Sequence, residues 1–188
     1  MNDYRIFVGA FLSGELHEGI QAVRQWYDAK TARITPPHVT LAGTYWRGGP
    51  ATAENEAEAI ARLEAVRGEI QPFDLVLGGI TSFPQGVIYL EVTVTAGLLA
   101  ARAGLLQALG QDKHPHFVPH LTLAMRLDAA GNEQMLRELR ETEWHTSRRT
   151  VQMDELRLMQ RGREDPVWRT IHRFSIANDK RGRATSTA

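Results

Sequence analysis

The sequence predicts an α+β protein made of two similar halves, each a small, mostly antiparallel sheet with helices on its outside. Two observations carry this prediction. The hexapeptide that begins at Pro37 (PHVTLA) returns 82 residues later at Pro119 (PHLTLA), with five of six positions unchanged. Around both copies the apolar pattern runs in the order strand, helix, His-containing strand, helix, strand. A doubly wound parallel sheet would instead need a glycine-rich phosphate loop, and Gly9, Gly14 and Gly19 do not have that spacing.

We interpret the repeat as an internal duplication with a pseudo-twofold axis. The two lobes would be intertwined in a single domain over residues 1–178, with a central cleft between them. The two His strands would lie near the axis and face this cleft. Residues 179–188 are small, polar and basic, and we expect them to form a disordered tail.

The elements of the first half follow from apolar spacing and from proline breaks. Alternation predicts a strand over 4–11, and helical spacing begins near Ser13 and ends at Pro36. The first His strand then starts at His38. The half closes with a predicted helix over 54–68 and a strand over 73–82.

The second half repeats these elements. A strand at 88–90 precedes a leucine-rich helix over 98–109, and Pro119 breaks the chain just before His120. The pattern then predicts a helix over 129–144. The chain closes with a predicted hairpin of two strands, 150–159 and 167–176.

The two repeated hexapeptides carry the chemistry. Residues i and i+2 of a strand share a face, so each strand directs one imidazole and one hydroxyl to the same side. These four candidate catalytic residues are His38, Thr40, His120 and Thr122. Two imidazoles can serve as general acid and general base near neutral pH, and hydroxyls can donate to the non-bridging oxygens of a phosphate. The quartet therefore predicts phosphate chemistry that needs no metal.

Composition limits the setting of this chemistry. The chain has 188 residues, 22 basic and 22 acidic side chains and no cysteine, which excludes disulfides, thiolate catalysis and cysteine-based zinc sites. Neutral net charge argues against binding of long nucleic acid, so RNA contacts should be short and local. There is no secretory or membrane-spanning pattern. We expect a cytoplasmic monomer with no cofactor, no membrane association and no obligate protein partner.

These motifs resemble the two-histidine (2H) phosphoesterases, and among them the bacterial 2′-5′ RNA ligase and RNA 2′,3′-cyclic phosphodiesterase group. The family signature is a pair of His-x-Thr-x motifs, present here as HVTL at His38 and HLTL at His120. The opening strand from Tyr4 (YRIFV) and the final FSI ending at Ile176 also match. The resemblance covers nearly the whole chain, and it implies two lobes around a cleft and metal-free hydrolysis of 2′,3′-cyclic phosphates.

The resemblance also implies roles for the histidines. His38 would protonate the departing 3′-oxygen and His120 would activate water, which leaves a 2′-phosphate. The near symmetry of the sequence does not itself fix these roles. With a 5′-hydroxyl as nucleophile, the reverse reaction would join RNA ends through a 2′-5′ bond without ATP. The expected partners are RNA termini or small cyclic nucleotides, including nucleoside or ADP-ribose derivatives.

Further substrate contacts are expected around the motifs. Members of the RNA branch commonly have an arginine five residues after the second histidine, whereas this chain has Met125 there and an arginine one residue later. On a regular strand Arg126 would share the face of the second motif and reach the substrate. Tyr45, Trp46 and Phe117 flank the motifs and could stack on a base. Core packing is the alternative for these aromatic residues.

Three other features leave alternatives open. His114 and His116 could suggest a metal site, but prolines interrupt the segment and no nearby glutamate completes a ligand set, so we expect no metal. Arg161 and Arg163 lie in the predicted turn of the last hairpin, where their guanidinium groups would contact either a phosphate backbone or only solvent. A non-catalytic nucleotide- or RNA-binding module is the rival function, although binding alone would not need both histidines.

Overall fold

The computed structural model of the chain describes residues 4–47, 52–110, 112 and 116–176. Within these ranges it has eight strands, five α-helices and one 3₁₀ turn at Arg67–Glu69. The strands are β1 (Tyr4–Phe11), β2 (His38–Arg47), β3 (Phe73–Ser82), β4 (Ile88–Val92), β5 (His120–Ala124), β6 (Arg149–Met153), β7 (Glu155–Gly162) and β8 (Arg169–Ser175). The helices are α1 (Gly14–Ile34), α2 (Ala53–Val66), α3 (Ala96–Leu109), α4 (Ala129–Arg140) and α5 (Glu143–Thr146). The predicted α+β class is confirmed.

The end of the chain differs from the prediction in two places. The helix expected over 129–144 is divided into α4 and α5. The single strand expected over 150–159 is wrong, because the chain changes partners at the exposed Asp154, whose carbonyl accepts a hydrogen bond from the Ile176 N–H at 2.7 Å. Before this point β6 pairs with β3, and after it β7 pairs with β1 and β8.

The described strands form one antiparallel sheet in the order β6-β3-β4-β5-β2-β1-β7-β8. The two His strands, β2 and β5, lie side by side at its centre, with Val39 and Leu121 as Cα partners. The prediction of two separate sheets is therefore wrong, because this pairing joins the two four-stranded halves. Each four-stranded half of the sheet contains strands from both halves of the sequence, since β3 is next to β4 and β7 is next to β1. The internal duplication itself stays a prediction.

The core lies on one face of the sheet. Alternate side chains of the strands meet residues of the helices in one buried cluster, which includes Val8 from β1, Val39 from β2, Leu63 from α2, Leu105 from α3 and Leu121 from β5. Because successive side chains of a strand point to opposite faces, the residues between them face away from this cluster. Burial of the helices on one side thus leaves the other face of the central strands for function.

Hydrogen-bonding caps fix where the helices begin. The side chains of Thr52, Thr95 and Asp128 precede α2, α3 and α4, and each accepts a hydrogen bond from the N–H three residues later at 2.8–3.2 Å. Each such cap contributes about 0.5–2 kcal/mol of stability. Where residues are described, no helix is long and apolar enough to cross a membrane. The tail predicted over 179–188 lies outside the described residues.

Candidate active site: two histidines on neighbouring strands

The structure brings the four predicted motif residues to the same face of the sheet. The Cα partners Val39 and Leu121 are fully buried against the core. Their sequence neighbours therefore point to the opposite face, where each side chain is partly exposed. These neighbours are His38 and Thr40 on β2, and His120 and Thr122 on β5.

The antiparallel register mixes the two motifs. Continued by one residue on either side of the Val39–Leu121 pair, it sets His38 beside Thr122 and His120 beside Thr40. The two histidines then lie on a diagonal, for which the residues of a regular pair are about 7–8 Å apart and their Cβ atoms somewhat closer. A tetrahedral phosphate placed between them would meet an imidazole and a hydroxyl from each side.

Both imidazoles are held in the same way by the backbone. His38 Nδ1 lies 2.8 Å from the carbonyl of Pro36, and His120 Nδ1 lies 2.7 Å from the carbonyl of Val118. A carbonyl can only accept a hydrogen bond, so each Nδ1 carries the proton and donates. The tautomer is thereby fixed, and Nε2 of each neutral ring is left as the nitrogen that can accept or return a proton.

Aromatic rings support His38 on one side. The imidazole stacks on Phe7 at 4.8 Å and on Phe11 at 5.1 Å, with interplanar angles of 24° and 21°. The Trp168 ring meets Phe7 edge-on at 4.7 Å. Gly9 lies between the two phenylalanines, and a Cβ there would come within about 3 Å of both rings. The rings thus fix the plane of the imidazole.

His120 has its own aromatic support. Phe83 and Tyr89 contact the imidazole edge-on, at 5.0 Å and 5.3 Å between ring centroids, and they stack on each other at 4.3 Å. The sequence reasoning missed these aromatic residues and those around His38. One signal was available, since Phe7 and Tyr89 are separated by the same 82 residues as the two histidines.

Burial controls the pKa of both imidazoles. It lowers the pKa of His38 to about 4, against a partly opposing hydrogen bond to Pro36, and the charges of Arg24 and His120 lower it further. Burial also lowers the pKa of His120, again opposed by its hydrogen bond to a carbonyl, that of Val118. Both rings are therefore neutral in the free protein at pH 7.

A buried arginine anchors the turn before His38. Arg24 on α1 is 1% exposed and donates to the carbonyls of Thr35 at 2.8 Å and Thr31 at 3.3 Å. Burial lowers its pKa to about 10, so it stays charged at neutral pH. Because Thr35 precedes the carbonyl that orients His38, Arg24 holds the backbone that sets the position of this imidazole.

A buried carboxylate on α1 holds the end of β5. The helix leaves helical geometry at Asp28 (φ −143°, ψ 71°), whose Oδ1 caps the next turn by accepting from the Thr31 N–H at 3.0 Å. Its Oδ2 accepts from the N–H of Met125 at 3.0 Å, five residues after His120. Burial raises the pKa of Asp28, but these donors and the N–H of Arg126 hold it below its ordinary value.

A second carboxylate holds the matching point of β2. Asp112 accepts a hydrogen bond at 2.5 Å from the N–H of Gly43, five residues after His38. Gly43 has φ +112° at a bulge, and a Cβ there would lie 2.8 Å from the Ile6 carbonyl and the Phe7 Cα, so only glycine fits. Arg102 forms a salt bridge with Asp112. The two motifs are thus anchored by equivalent contacts, which sequence reasoning did not find.

The structure gives three different outcomes for the other predicted contact residues. Arg126 follows the end of β5 and is exposed. Phe117 packs against the core with the Arg102 guanidinium 4.1 Å above its ring, which favours packing over base stacking. Tyr45 and Trp46 lie in β2, but their side chains are outside the described part of the structure.

The histidine-rich segment shows no metal cluster in its described part. His116 is exposed, and His114 lies outside the described residues. Across the part of the chain that the structure covers, no three side chains of His, Asp or Glu are grouped so as to hold a metal ion.

Comparison with known sequences identifies a family. A model of the 2′-5′ RNA ligase superfamily matches residues 12–165, which include both motifs. A Bacillus cytotoxicus protein named "Putative phosphoesterase" is 31% identical over 134 residues, or 69% of this chain and 74% of that protein. A relative of the same description from Bacillus cereus G9842 is 30% identical over 134 residues, with the same coverage of both chains.

Comparison with solved structures shows the same fold. Escherichia coli LigT complexed with 3′-AMP has a TM-score of 0.54 at 20% identity, covering 92% of this chain and 98% of that one. LigT complexed with NADP+ has a TM-score of 0.57 at 18% identity, with the same coverage. TT0787 of Thermus thermophilus has a TM-score of 0.59 at 20% identity, covering 92% and 97% of the two chains.

Proposed function

Because this chain belongs to the 2′-5′ RNA ligase superfamily, we propose that it hydrolyses 2′,3′-cyclic phosphates, at RNA ends or on small nucleotides, without a metal ion. One observation carries the proposal. His38 and His120 lie on the same face of paired strands, and each has its Nδ1 bound to a carbonyl, which leaves Nε2 as the nitrogen that can exchange a proton. Two imidazoles held in this way suit the base and the acid of one in-line displacement at phosphorus.

The reaction follows from these groups. One neutral Nε2 removes a proton from water, whose oxygen attacks phosphorus. The bond from phosphorus to one ribose oxygen breaks, and the protonated Nε2 of the other imidazole gives its proton to that oxygen. The hydroxyls of Thr40 and Thr122 donate hydrogen bonds to the non-bridging oxygens, where negative charge grows, and so favour the transition state.

We assign His38 as the acid for the 3′-oxygen and His120 as the base, so that a 2′-phosphate is formed. The family resemblance supports this polarity. In the free protein the pKa of His38 is about 4, so the substrate must raise it before the ring can donate a proton. The negative phosphate has the sign required, because a nearby anion favours the charged imidazolium.

The same groups would also join RNA ends by the same displacement with another nucleophile. A 5′-hydroxyl in place of water would be deprotonated and attack the cyclic phosphate, which forms a 2′-5′ bond with no need for ATP. Nucleotide complexes of LigT, with 3′-AMP and with NADP+, support the view that this fold accepts nucleotide phosphates, and we extend that view to this chain.

Hydrolysis of a short RNA that ends in a 2′,3′-cyclic phosphate tests the proposal. We expect turnover to continue in EDTA, and chromatography against authentic 2′- and 3′-phosphate standards should identify the 2′-phosphate. A nucleoside 2′,3′-cyclic phosphate assayed in parallel separates small substrates from RNA. Binding of both compounds without turnover would contradict the proposal and leave a non-catalytic binding module.

A further inference from the structure

A basic groove of about 490 Å³ lies on the surface at the end of α1. Three segments build it: the end of α1, the residues after β5, and the connection from β7 to β8. Its walls carry four cations and two apolar side chains of that connection, namely Lys30, Arg33, Arg126, Arg161, Pro166 and Val167. We name this surface the basic groove.

Its cations have no carboxylate partners. Among the described residues, the side chains of Lys30, Arg33, Arg126 and Arg161 form no salt bridge. Arg161 donates to a backbone carbonyl, that of Asp165, at 2.9 Å. The chain as a whole has equal numbers of basic and acidic side chains, so this concentration of positive charge is local. The four positive charges around this concavity repel each other, and a bound anion would offset that repulsion.

The groove adjoins the His38 end of the paired His strands. β2 and β5 are antiparallel with Val39 opposite Leu121, so the end of β5 lies beside the start of β2. Arg126, which follows β5, therefore lies near the end of α1, and both line the groove. The Trp168 N–H donates to the Ile34 carbonyl at 2.9 Å and closes the wall of the groove. The same tryptophan contacts Phe7, on which the His38 imidazole stacks. The groove is thus continuous with the support of the imidazole.

The repeat does not reproduce this groove at the other end of the site. The offset of 82 residues that relates the two histidines places Asp112 at the equivalent of Lys30, and Gly79 at the equivalent of Arg161. Arg126 likewise has Thr44 as its equivalent. The cations therefore lie at one end of a nearly symmetric site, and they give a bound chain a direction.

We propose that the basic groove binds a backbone phosphate of a single-stranded RNA whose terminal cyclic phosphate lies between His38 and His120. This inference rests on the proposed function and selects RNA ends over mononucleotides as the substrate class. The apolar Pro166 and Val167 offer a surface for the adjoining sugar or base. A mononucleotide would occupy the histidine pair and leave the groove without an anion.

The test compares two doubly substituted variants of equal charge. Lys30→Gln/Arg33→Gln removes two cations of the groove, and Arg137→Gln/Arg140→Gln removes two exposed cations from α4. Fluorescence anisotropy measures the affinity of each for a labelled RNA hexanucleotide that carries a terminal 2′-phosphate, across a salt series. Turnover is measured for the hexanucleotide with a cyclic end and for a nucleoside 2′,3′-cyclic phosphate.

We expect the groove variant to bind the hexanucleotide about tenfold more weakly at low salt than the α4 variant. The slope of log affinity against log salt should fall by about 0.7 for each RNA phosphate that the variant no longer neutralises. Its turnover of the nucleoside cyclic phosphate should stay within about twofold of the unmodified protein. Equal binding by both variants, or an equal loss of turnover on both substrates, would overturn the proposal. Binding is measured separately from turnover. An inactive protein would contradict the proposed function, while the comparison of RNA binding by the two variants would still decide the role of the groove.

Discussion

The Nδ1 contact of each histidine determines which nitrogen can react. Pro36 and Val118 each supply a carbonyl two residues before the imidazole, so the local turn and not a distant side chain fixes the tautomer. Because a backbone carbonyl cannot change its protonation state, the free Nε2 is the same nitrogen at every pH where the ring is neutral. The ring can therefore serve as base or acid at one fixed point in space.

The lowered pKa values predict an acidic pH optimum. Catalysis requires one protonated and one neutral imidazole. We therefore expect kcat/KM to fall at low pH, where both rings are protonated, and at high pH, where both are neutral. Burial places the pKa of each histidine below its ordinary value of 6.5, that of His38 at about 4. We expect kcat/KM, which reports the free protein, to peak below pH 6.5.

The profile of kcat should lie at higher pH than that of kcat/KM, because the bound phosphate raises the pKa of the neighbouring imidazole. Both profiles can be measured on one RNA substrate, from acidic to mildly alkaline pH. A maximum of kcat/KM at or above neutral pH would contradict the burial of the two rings in the free protein.

At the residue scale, the motif could be predicted and its support could not. The repetition of His and Thr at the same spacing is enough to identify His38 and His120. Phe7 and Phe11 lie in an apolar strand, where an aromatic side chain on either face is typical of a core residue. Only the pairing of β1 with β2 shows that these rings lie on the face of the imidazole.

At the scale of elements, the interruption of α1 links a helix to the second motif. Asp28 caps the following turn with one oxygen and holds the backbone after β5 with the other. Asp112 makes the equivalent contact to the backbone after the first motif. Both carboxylates act on strand ends next to the site, so we regard them as positioning residues that act through the strands.

Asp28→Asn tests this positioning. The amide nitrogen replaces one of the two carboxylate oxygens, so either the Met125 N–H or the Thr31 N–H loses its acceptor. A buried donor without a partner costs about 1–3 kcal/mol. We expect urea unfolding to show a loss of that size and kcat to fall about tenfold at a temperature where the variant is folded. The exposed Asp74 on β3 offers Asp74→Asn as the matched control, with neither effect.

A loss of stability with unchanged kcat would show that Asp28 serves the fold alone. The same comparison applies to Asp112→Asn at the first motif. Because the hydrogen bonds described for the two carboxylates hold different His strands, the two substitutions should lower kcat independently.

The elements themselves followed largely from apolar spacing and from proline breaks. The first helix, both His strands and the leucine-rich helix agree with the prediction within a few residues. The prediction of one strand over 150–159 overlooks a shift in its alternation, because Asp154 and Glu155 separate apolar residues at odd positions from apolar residues at even positions. The partners themselves, β3 before Asp154 and β1 after it, are set by the tertiary fold and do not follow from this local shift.

At the scale of the whole molecule, one pair of strands joins the two four-stranded halves of the sheet. The contact of Val39 with Leu121 makes a continuous sheet and sets the two motifs side by side. The sequence showed that two equivalent strands exist, but strand pairing is a tertiary property that apolar periodicity leaves open. The neutral net charge was likewise uninformative about the basic groove, because an overall balance hides a local excess.

The most direct test of catalysis by the histidine pair is hydrolysis of an RNA 2′,3′-cyclic phosphate in EDTA by the variants His38→Ala and His120→Ala. Each variant should lose roughly 10²–10⁴-fold in kcat, and the double variant little more, because the two rings act as a unit. The exposed His116 provides the control His116→Ala. A second substrate carries sulfur in place of the 3′-oxygen, and a sulfur leaving atom needs no proton from an acid. On this substrate only His38→Ala should recover activity. Full activity of either variant on the oxygen substrate would contradict catalysis by the histidine pair.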